Sequence, residues 1–430
     1  MRGAKPERTA SEERPISSQL TRPPWHGIGF NKWLFYRFVW RFWSLPEALL
    51  FRSRGINHHQ LPGDKPYLLL PNHNSVLDPF WAGFHVRRPV RFMASAHLFR
   101  SPIVRWPLTA IGGFPKMKFV KDRDSMETLN QFYADGVAVM VFPEGNRSWD
   151  GRPEPVLPGI GRLIKRLDAR IVFARNLTGH LFQPRWAKYP RYVPIRVEYD
   201  GPHTFDPDTS AEEITDFVRK GITIDATVEA PKGSYGIRLA HGLPGYLWAC
   251  PRCGLFDGLQ VDPRNGNNVI CRGCGAGWRV DVSCRINPLD GGPRRLIADV
   301  FDEMLAQFGE MPVADRARFD RDGVILEEDA RIDVVPRRKP PEFLGAGVLR
   351  LFKDRIELCS SDDGAPIWAM PFERLKAISV EVGSLLQIRD GEALYRLSPS
   401  SGTSARWFHF LNPWWTASQS DSVGAHRSGG

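Results

Sequence analysis

The stretch PNHNSVLDP, residues 71–79, places His73 and Asp78 five positions apart. These residue types suit proton transfer. An imidazole can take a proton from a hydroxyl, and a carboxylate can orient the ring and stabilise its charged form. No serine nucleophile is needed where the hydroxyl belongs to a substrate. Regular structure keeps the two side chains apart: an odd spacing puts them on opposite faces of a strand, and a helix separates them by roughly 140°. Either the pair is a structural or surface His and Asp, or the backbone bends so that they meet. Asn74 and Ser75 stand just before an apolar run and can cap a helix. A His in the entering loop would then approach an Asp in the first turn.

A second candidate is VFPEGNRS, residues 141–148, where an apolar run ends in Pro143-Glu144-Gly145-Asn146-Arg147-Ser148. Binding residues often sit where a strand meets a loop. Arg147 offers a planar fork suited to phosphate, and Gly145 allows close backbone approach to a ligand. A third is GGFPKMKFVKDR, residues 112–123, where a double glycine precedes Lys116, Lys118, Lys121 and Arg123. Its bland reading is a solvated basic face; that of the second stretch is a plain turn.

Four cysteines form two Cys-x2-Cys pairs, Cys250/Cys253 and Cys271/Cys274, with 17 residues between the pairs. This spacing matches a four-thiolate zinc site. Four sulfur ligands leave no open position, so such a site is structural. Iron or a redox dithiol pair is the competing reading. Cys284 and Cys359 stand alone, a usage that fits a reduced chain and not a disulfide framework.

The elements needed to position these groups alternate between residues 61 and about 200. YLLLPN and GVAVMVFPEG read as buried strands, with DSMETLNQFYADG as a helix between them, capped by Asp124 and ended by Gly136. GIGRLIKRL is helical and ARIVFARNL strand-like. Strand–helix alternation predicts an α/β domain, a mixed sheet flanked by helices. The expected organisation is a disordered leader over 1–28, this domain over 29–245, a zinc ribbon over 246–286, a helical connector over 287–336, a small β-domain over 337–415, and a disordered tail over 416–430. The β-domain loosely resembles a pleckstrin-homology-like unit that could dock on lipid or on a protein.

A formal net charge of +10 with a sequence pI near 9.4 points to an anionic partner. Segment 30–51 is almost wholly aromatic and aliphatic, with Arg37, Arg41 and Ser44 on one helical stripe. That pattern predicts a helix lying in a bilayer surface, with a core helix as the alternative. No secretory signal or convincing membrane span is read. The aromatic-basic segment favours lipid over nucleic acid.

The order and spacing of the His-x4-Asp motif, the Gly-rich basic loop and Phe-Pro-Glu-Gly-x-Arg-Ser resemble the glycerolipid acyltransferase family, typified by 1-acylglycerol-3-phosphate acyltransferases. The resemblance covers roughly residues 30–200, with Gly159 or Gly161 and Ile171–Val172 as later matches. It implies an acyl transfer in which His73 is the general base, Asp78 holds the imidazole, and Glu144, Gly145, Asn146, Arg147 and Lys118 bind the acceptor. The implied donor is acyl-coenzyme A or an acyl-carrier-protein thioester, and the implied acceptor is lysophosphatidic acid or a related lyso-lipid at the cytoplasmic face of a membrane. Asn146 stands where the family usually has Thr, and Lys118 where it usually has Arg. The second departure leaves open another acceptor, an aminolipid or glycolipid. A non-enzymatic adaptor, binding protein partners through the ribbon and β-domain, is the remaining alternative.

Overall fold

A computed structural model describes residues 38, 42, 45–46, 49–63, 65–86, 90–116, 122–336, 341–381, 385–391, 393–401 and 404–425. Lys118, most of the aromatic segment 30–51, and the expected leader lie outside the described residues. Among the described residues, no helix is long and apolar enough to cross a membrane.

The first unit is a seven-stranded mixed sheet. Its strands are β1 (Arg54–Ile56), β2 (Leu68–Pro71), β3 (Val90–Ser95), β4 (Gly113–Lys116), β5 (Ala138–Met140), β6 (Ile171–Asn176) and β7 (Arg196–His203), in the order β1-β7-β6-β2-β5-β3-β4. From β6 to β4 all neighbours are parallel, whereas β7 runs antiparallel to β6. The period of two in YLLL separates two cores. Leu69 faces one with Trp81, Phe92, Met140 and Val172; Leu68 and Leu70 face the other with Leu129, Phe132, Ile160 and Ile164. Helix α1 (Asp78–Phe84) supplies Trp81 to the first core, beside α2 (Pro102–Ala110). The second core is covered by α3 (Arg123–Ala134), α4 (Gly159–Leu167) and α5 (Ala211–Ile222).

Two local expectations are corrected. The cap of α3 is Asp122, whose side chain accepts from Ser125 N, and not Asp124, which lies in the first turn. The residue before α1 is Leu77, with no side-chain cap; Ser75 Oγ instead accepts from Leu77 N inside the loop. Of the two glycines in GIGRLIKRL, Gly161 is the one the packing requires. A Cβ there would lie 1.9 Å from the Ala211 carbonyl oxygen at the start of α5, while nothing lies within 4 Å of one at Gly159.

The second unit is a five-stranded antiparallel ribbon, β8 (Leu259–Val261), β9 (Asn268–Cys271), β10 (Gly277–Val280), β11 (Arg285–Pro288) and β12 (Arg295–Leu296). Its last strand therefore falls beyond the expected end at 286. Helices α6 (Ile297–Phe308) and α7 (Arg316–Asp322) follow. The third unit is a seven-stranded antiparallel sheet: β13 (Leu326–Val334), β14 (Glu342–Leu351), β15 (Arg355–Cys359), β16 (Pro366–Pro371), β17 (Leu375–Glu381), β18 (Leu385–Asp390) and β19 (Ala393–Pro399), in the order β16-β15-β14-β13-β19-β18-β17. Helix α8 (Ala405–Ala425) closes it. This sheet begins at Leu326, not at 337. The Pro-rich stretch VVPRRKPPEF, 334–343, reads from sequence as a linker between domains, but it joins β13 to β14, which pair along their whole length. The expected tail from 416 is helical as far as Ala425.

The second and third units share one core. Trp248 packs edge-on against Phe308 of α6 and Phe410 of α8, with ring centroids 4.7 and 4.8 Å away. Arg406 of α8 pairs with Asp257 of the ribbon and Glu328 of β13, and the Trp407 indole N–H also donates to Glu328. That core continues to Trp149, directly behind the Glu-Gly-Asn-Arg loop of the first unit.

Candidate active site

The site forms at the carboxyl edge of the parallel strands, where loops leave β2 and β5. After β2 the chain turns back around the first residue of α1. The buried Asp78 carboxylate, 1% exposed, organises the turn. Its Oδ2 accepts from Asn74 N at 2.6 Å, Ser75 N at 2.7 Å and His73 Nδ1 at 3.0 Å. Its Oδ1 accepts from Asn176 Nδ2 at 2.9 Å. This is the bend that brings together two residues that neither a strand nor a helix would. With Nδ1 donating to Asp78, the lone pair of the neutral ring is on Nε2. The ring lies 4.2 Å from that of Phe142, at the end of the β5 run.

Asn176 is a site residue that motif reasoning missed. Its backbone N–H donates to Asn72 Oδ1, its carbonyl accepts from Asn72 Nδ2 and Asn74 Nδ2, and its Oδ1 accepts from Gly179 N. The only hint in the sequence was an Asn closing an apolar strand.

The β5 loop is tied to the His73 loop at two points. Glu144 Oε2 accepts from His73 N at 3.0 Å, and Ser148 N donates to the His73 carbonyl at 2.8 Å. Glu144 is buried, and burial pushes its carboxyl well above the usual range, opposed by the hydrogen bond from His73 N. The side chain expected to bind the acceptor thus supports the candidate base. Gly145 has a φ of +68°, and a Cβ there would approach Leu157 Cδ1 to 2.8 Å, so the position needs glycine for its turn. Burial lowers the Arg147 guanidinium from its ordinary value, and the Asp78 carboxylate opposes that shift. Asn146 is half-buried on the same loop. Lys116 ends β4 at the same edge, 3.9 Å from Asp122.

Behind Arg147 sits a second arginine that no motif announced. Arg185 Nη1 donates to the Arg147 carbonyl at 2.7 Å, and its Nη2 donates to the Val380 carbonyl on β17 of the third unit. Its guanidinium lies 4.4 Å over the Trp149 ring. Burial, then the neighbouring Arg147, push its pKa down to about 9.

Cys250, Cys253, Cys271 and Cys274 converge, with their sulfurs all within 4.8 Å of one another. Cys250 and Cys274 Sγ are 3.8 Å apart, and Cys253 and Cys271 Sγ 3.7 Å. Tetrahedral thiolates at about 2.3 Å from an ion would lie about 3.8 Å apart, so the cluster fits a metal and is far too open for disulfides. Each pair is a tight turn: Gly254 and Gly275 take φ of +69° and +70°, and their N–H groups donate to the Cys250 and Cys271 carbonyls.

Residues 52–174 match the family model described as Acyltransferase. The chain carries an acyltransferase-family domain. It is 27% identical over 203 residues to a 1-acyl-sn-glycerol-3-phosphate acyltransferase of Chlamydomonas reinhardtii, covering 45% of this chain and 60% of that protein. Against the chloroplastic enzyme of the same name, BAT2, from Brassica napus, identity is 28% over 143 residues, covering 32% of this chain and 41% of the relative. The matches thus span three-fifths or less of these relatives' lengths. The crystal structure of the 1-acyl-sn-glycerophosphate acyltransferase PlsC from Thermotoga maritima aligns over 44% of this chain and 78% of its own, at 20% identity and a TM-score of 0.37. The family-model match over residues 52–174 holds both the His73 and the Glu144 loops, while Arg185 and the four cysteines lie outside it.

Proposed function

We propose that the protein is an O-acyltransferase that moves a fatty acyl group from an acyl thioester to the hydroxyl of lysophosphatidic acid at a membrane surface. The observation that carries this reading is the His73–Asp78 contact, built on a carboxylate that accepts hydrogen bonds at both oxygens. His73 Nε2 takes the proton of the acceptor hydroxyl as its oxygen attacks the thioester carbonyl. The tetrahedral intermediate collapses with loss of the thiolate, which takes the proton back from the imidazolium. Asp78 stabilises that imidazolium, and no covalent acyl-enzyme is needed. Arg147, with Asn146 and Lys118, binds the acceptor phosphate. Gly145 shapes their loop, and Glu144 holds the His73 backbone.

The relatives' names support lysophosphatidic acid as acceptor. The donor is acyl-coenzyme A or an acyl-carrier protein, and the face is cytoplasmic. The four cysteines hold a structural zinc, which would supply folding energy and no chemistry. A meander of four strands joined to one of three, with a helix closing the sheet, supports a pleckstrin-homology-like reading of the C-terminal unit.

The test is transfer of labelled acyl chains by the purified chain, from both thioester types, to lysophosphatidic acid and to lyso-lipids with amine or sugar head groups. The expected result is transfer to lysophosphatidic acid above all others. Preferred transfer to an amine or sugar lyso-lipid would reassign the acceptor, and no transfer to any would overturn the reading.

A further inference from the structure

Helix α2, Pro102–Ala110, turns its apolar side outward. Ile103 is 86% exposed and Trp106 72% exposed, and no residue of the helix is buried. Ile103 and Trp106 stand three residues apart, so they share one face, whereas Ala110 packs against the first core. Leu108, on the other side, packs against the first core. A surface helix in water has the reverse pattern, apolar inward and polar outward.

The surrounding chain says what covers this face. Between Pro79 and Lys121 there are eight Lys and Arg and not one Asp or Glu, so this stretch accounts for +8 against a chain net charge of +10. An apolar ridge carrying a tryptophan, set in purely cationic sequence, is complementary to the headgroup region of an anionic bilayer. Its position fits too. Strand β3 leads into α2 and ends at Ser95, and its register with β5 and β4 is parallel, so α2 starts from the edge that carries His73 and Glu144.

We propose that α2 is an interfacial wedge that inserts Ile103 and Trp106 among anionic lipids and seats the site-bearing edge of the sheet on the bilayer. The proposal rests on the acyltransferase reading for its purpose: a lyso-lipid could then present its hydroxyl to His73 without leaving the membrane. Contact with lipid itself is independent of that chemistry.

The test uses the full chain and vesicles of phosphatidylglycerol or phosphatidylcholine with brominated acyl chains, which quench tryptophan on contact. On phosphatidylglycerol the wild type is expected to lose more emission than Trp106→Phe, the difference being the Trp106 signal. Ile103→Asp/Trp106→Asp is expected to bind these vesicles at least about tenfold more weakly, from the loss of two buried apolar side chains. The same variant should keep wild-type turnover on a water-soluble short-chain acceptor. Equal quenching of wild type and Trp106→Phe, with unchanged vesicle binding by the double variant, would overturn the proposal. So would a wild-type dimer, by light scattering, that the double variant dissolves, since the face would then be covered by a second copy. Loss of the acyltransferase reading would show separately, as no turnover by any variant with lipid contact intact.

Discussion

At the scale of the residue, Asp78 and Glu144 are two buried carboxylates with different tasks. Asp78 gathers the His73 ring and two backbone N–H groups on one oxygen and Asn176 on the other. Glu144 accepts only backbone N–H groups, that of His73 and that of Glu154. A side chain that works by accepting backbone N–H groups can be replaced by an amide oxygen. Glu144→Gln is therefore expected to stay within about tenfold of wild-type kcat. Glu144→Ala is expected to lose about 10²-fold in kcat with acceptor KM little changed, because the base is displaced and the acceptor contacts are not. Steady-state kinetics in acceptor concentration decide this; a large rise in KM with kcat intact would return Glu144 to direct acceptor binding. The His73–Asp78 pair was legible from its spacing within a recognisable order of motifs. Asn176 and Arg185 were not, since a buried polar residue far along the chain gains meaning only when the fold closes a hydrogen bond to it.

At the scale of the element, hydrophobic period served well where the pattern was strong. The strands of YLLLPN and ARIVFARNL, and the helices of DSMETLNQFYADG and GIGRLIKRL, lie where their periodicity placed them. Ends were less legible. Asp122 outcompeted Asp124 as the cap of α3, and a proline-rich segment that reads as a linker proved to be the loop of one hairpin. Gly161 shows how an element position is decided by a neighbour distant in sequence. Gly161→Ala would force Cβ against the Ala211 carbonyl and part α4 from α5. The expected loss is about 1–3 kcal/mol in urea-unfolding stability. Gly159→Ala, with open space around it, should not destabilise, and equal losses at the two positions would contradict the packing argument.

At the scale of the whole molecule, the ribbon and the C-terminal sheet brace the site. Their shared core reaches Trp149, and Arg185 ties the Arg147 backbone to β17. The cysteine spacing disclosed the ribbon, but nothing in the sequence disclosed this bracing, which exists only between units. Arg185→Met should raise acceptor KM by about tenfold with little change in kcat, and Arg185→Lys should recover part of it, as measured by initial rates. Chelator treatment of the proposed zinc site should red-shift tryptophan emission as the core around Trp248 opens. Activity should fall with it and return on adding zinc. Full activity in a sample shown to be metal-free would contradict the coupling.

The central claim is that His73, oriented by Asp78, removes the proton from the acceptor hydroxyl. Single-turnover acyl transfer to lysophosphatidic acid by His73→Ala, with the fold checked by its unfolding transition, tests it most directly. A positioned base contributes roughly 10²–10⁴-fold, so the rate should fall by about that factor while acceptor binding persists. A His73→Ala variant that transfers acyl groups at close to the wild-type rate would contradict the account.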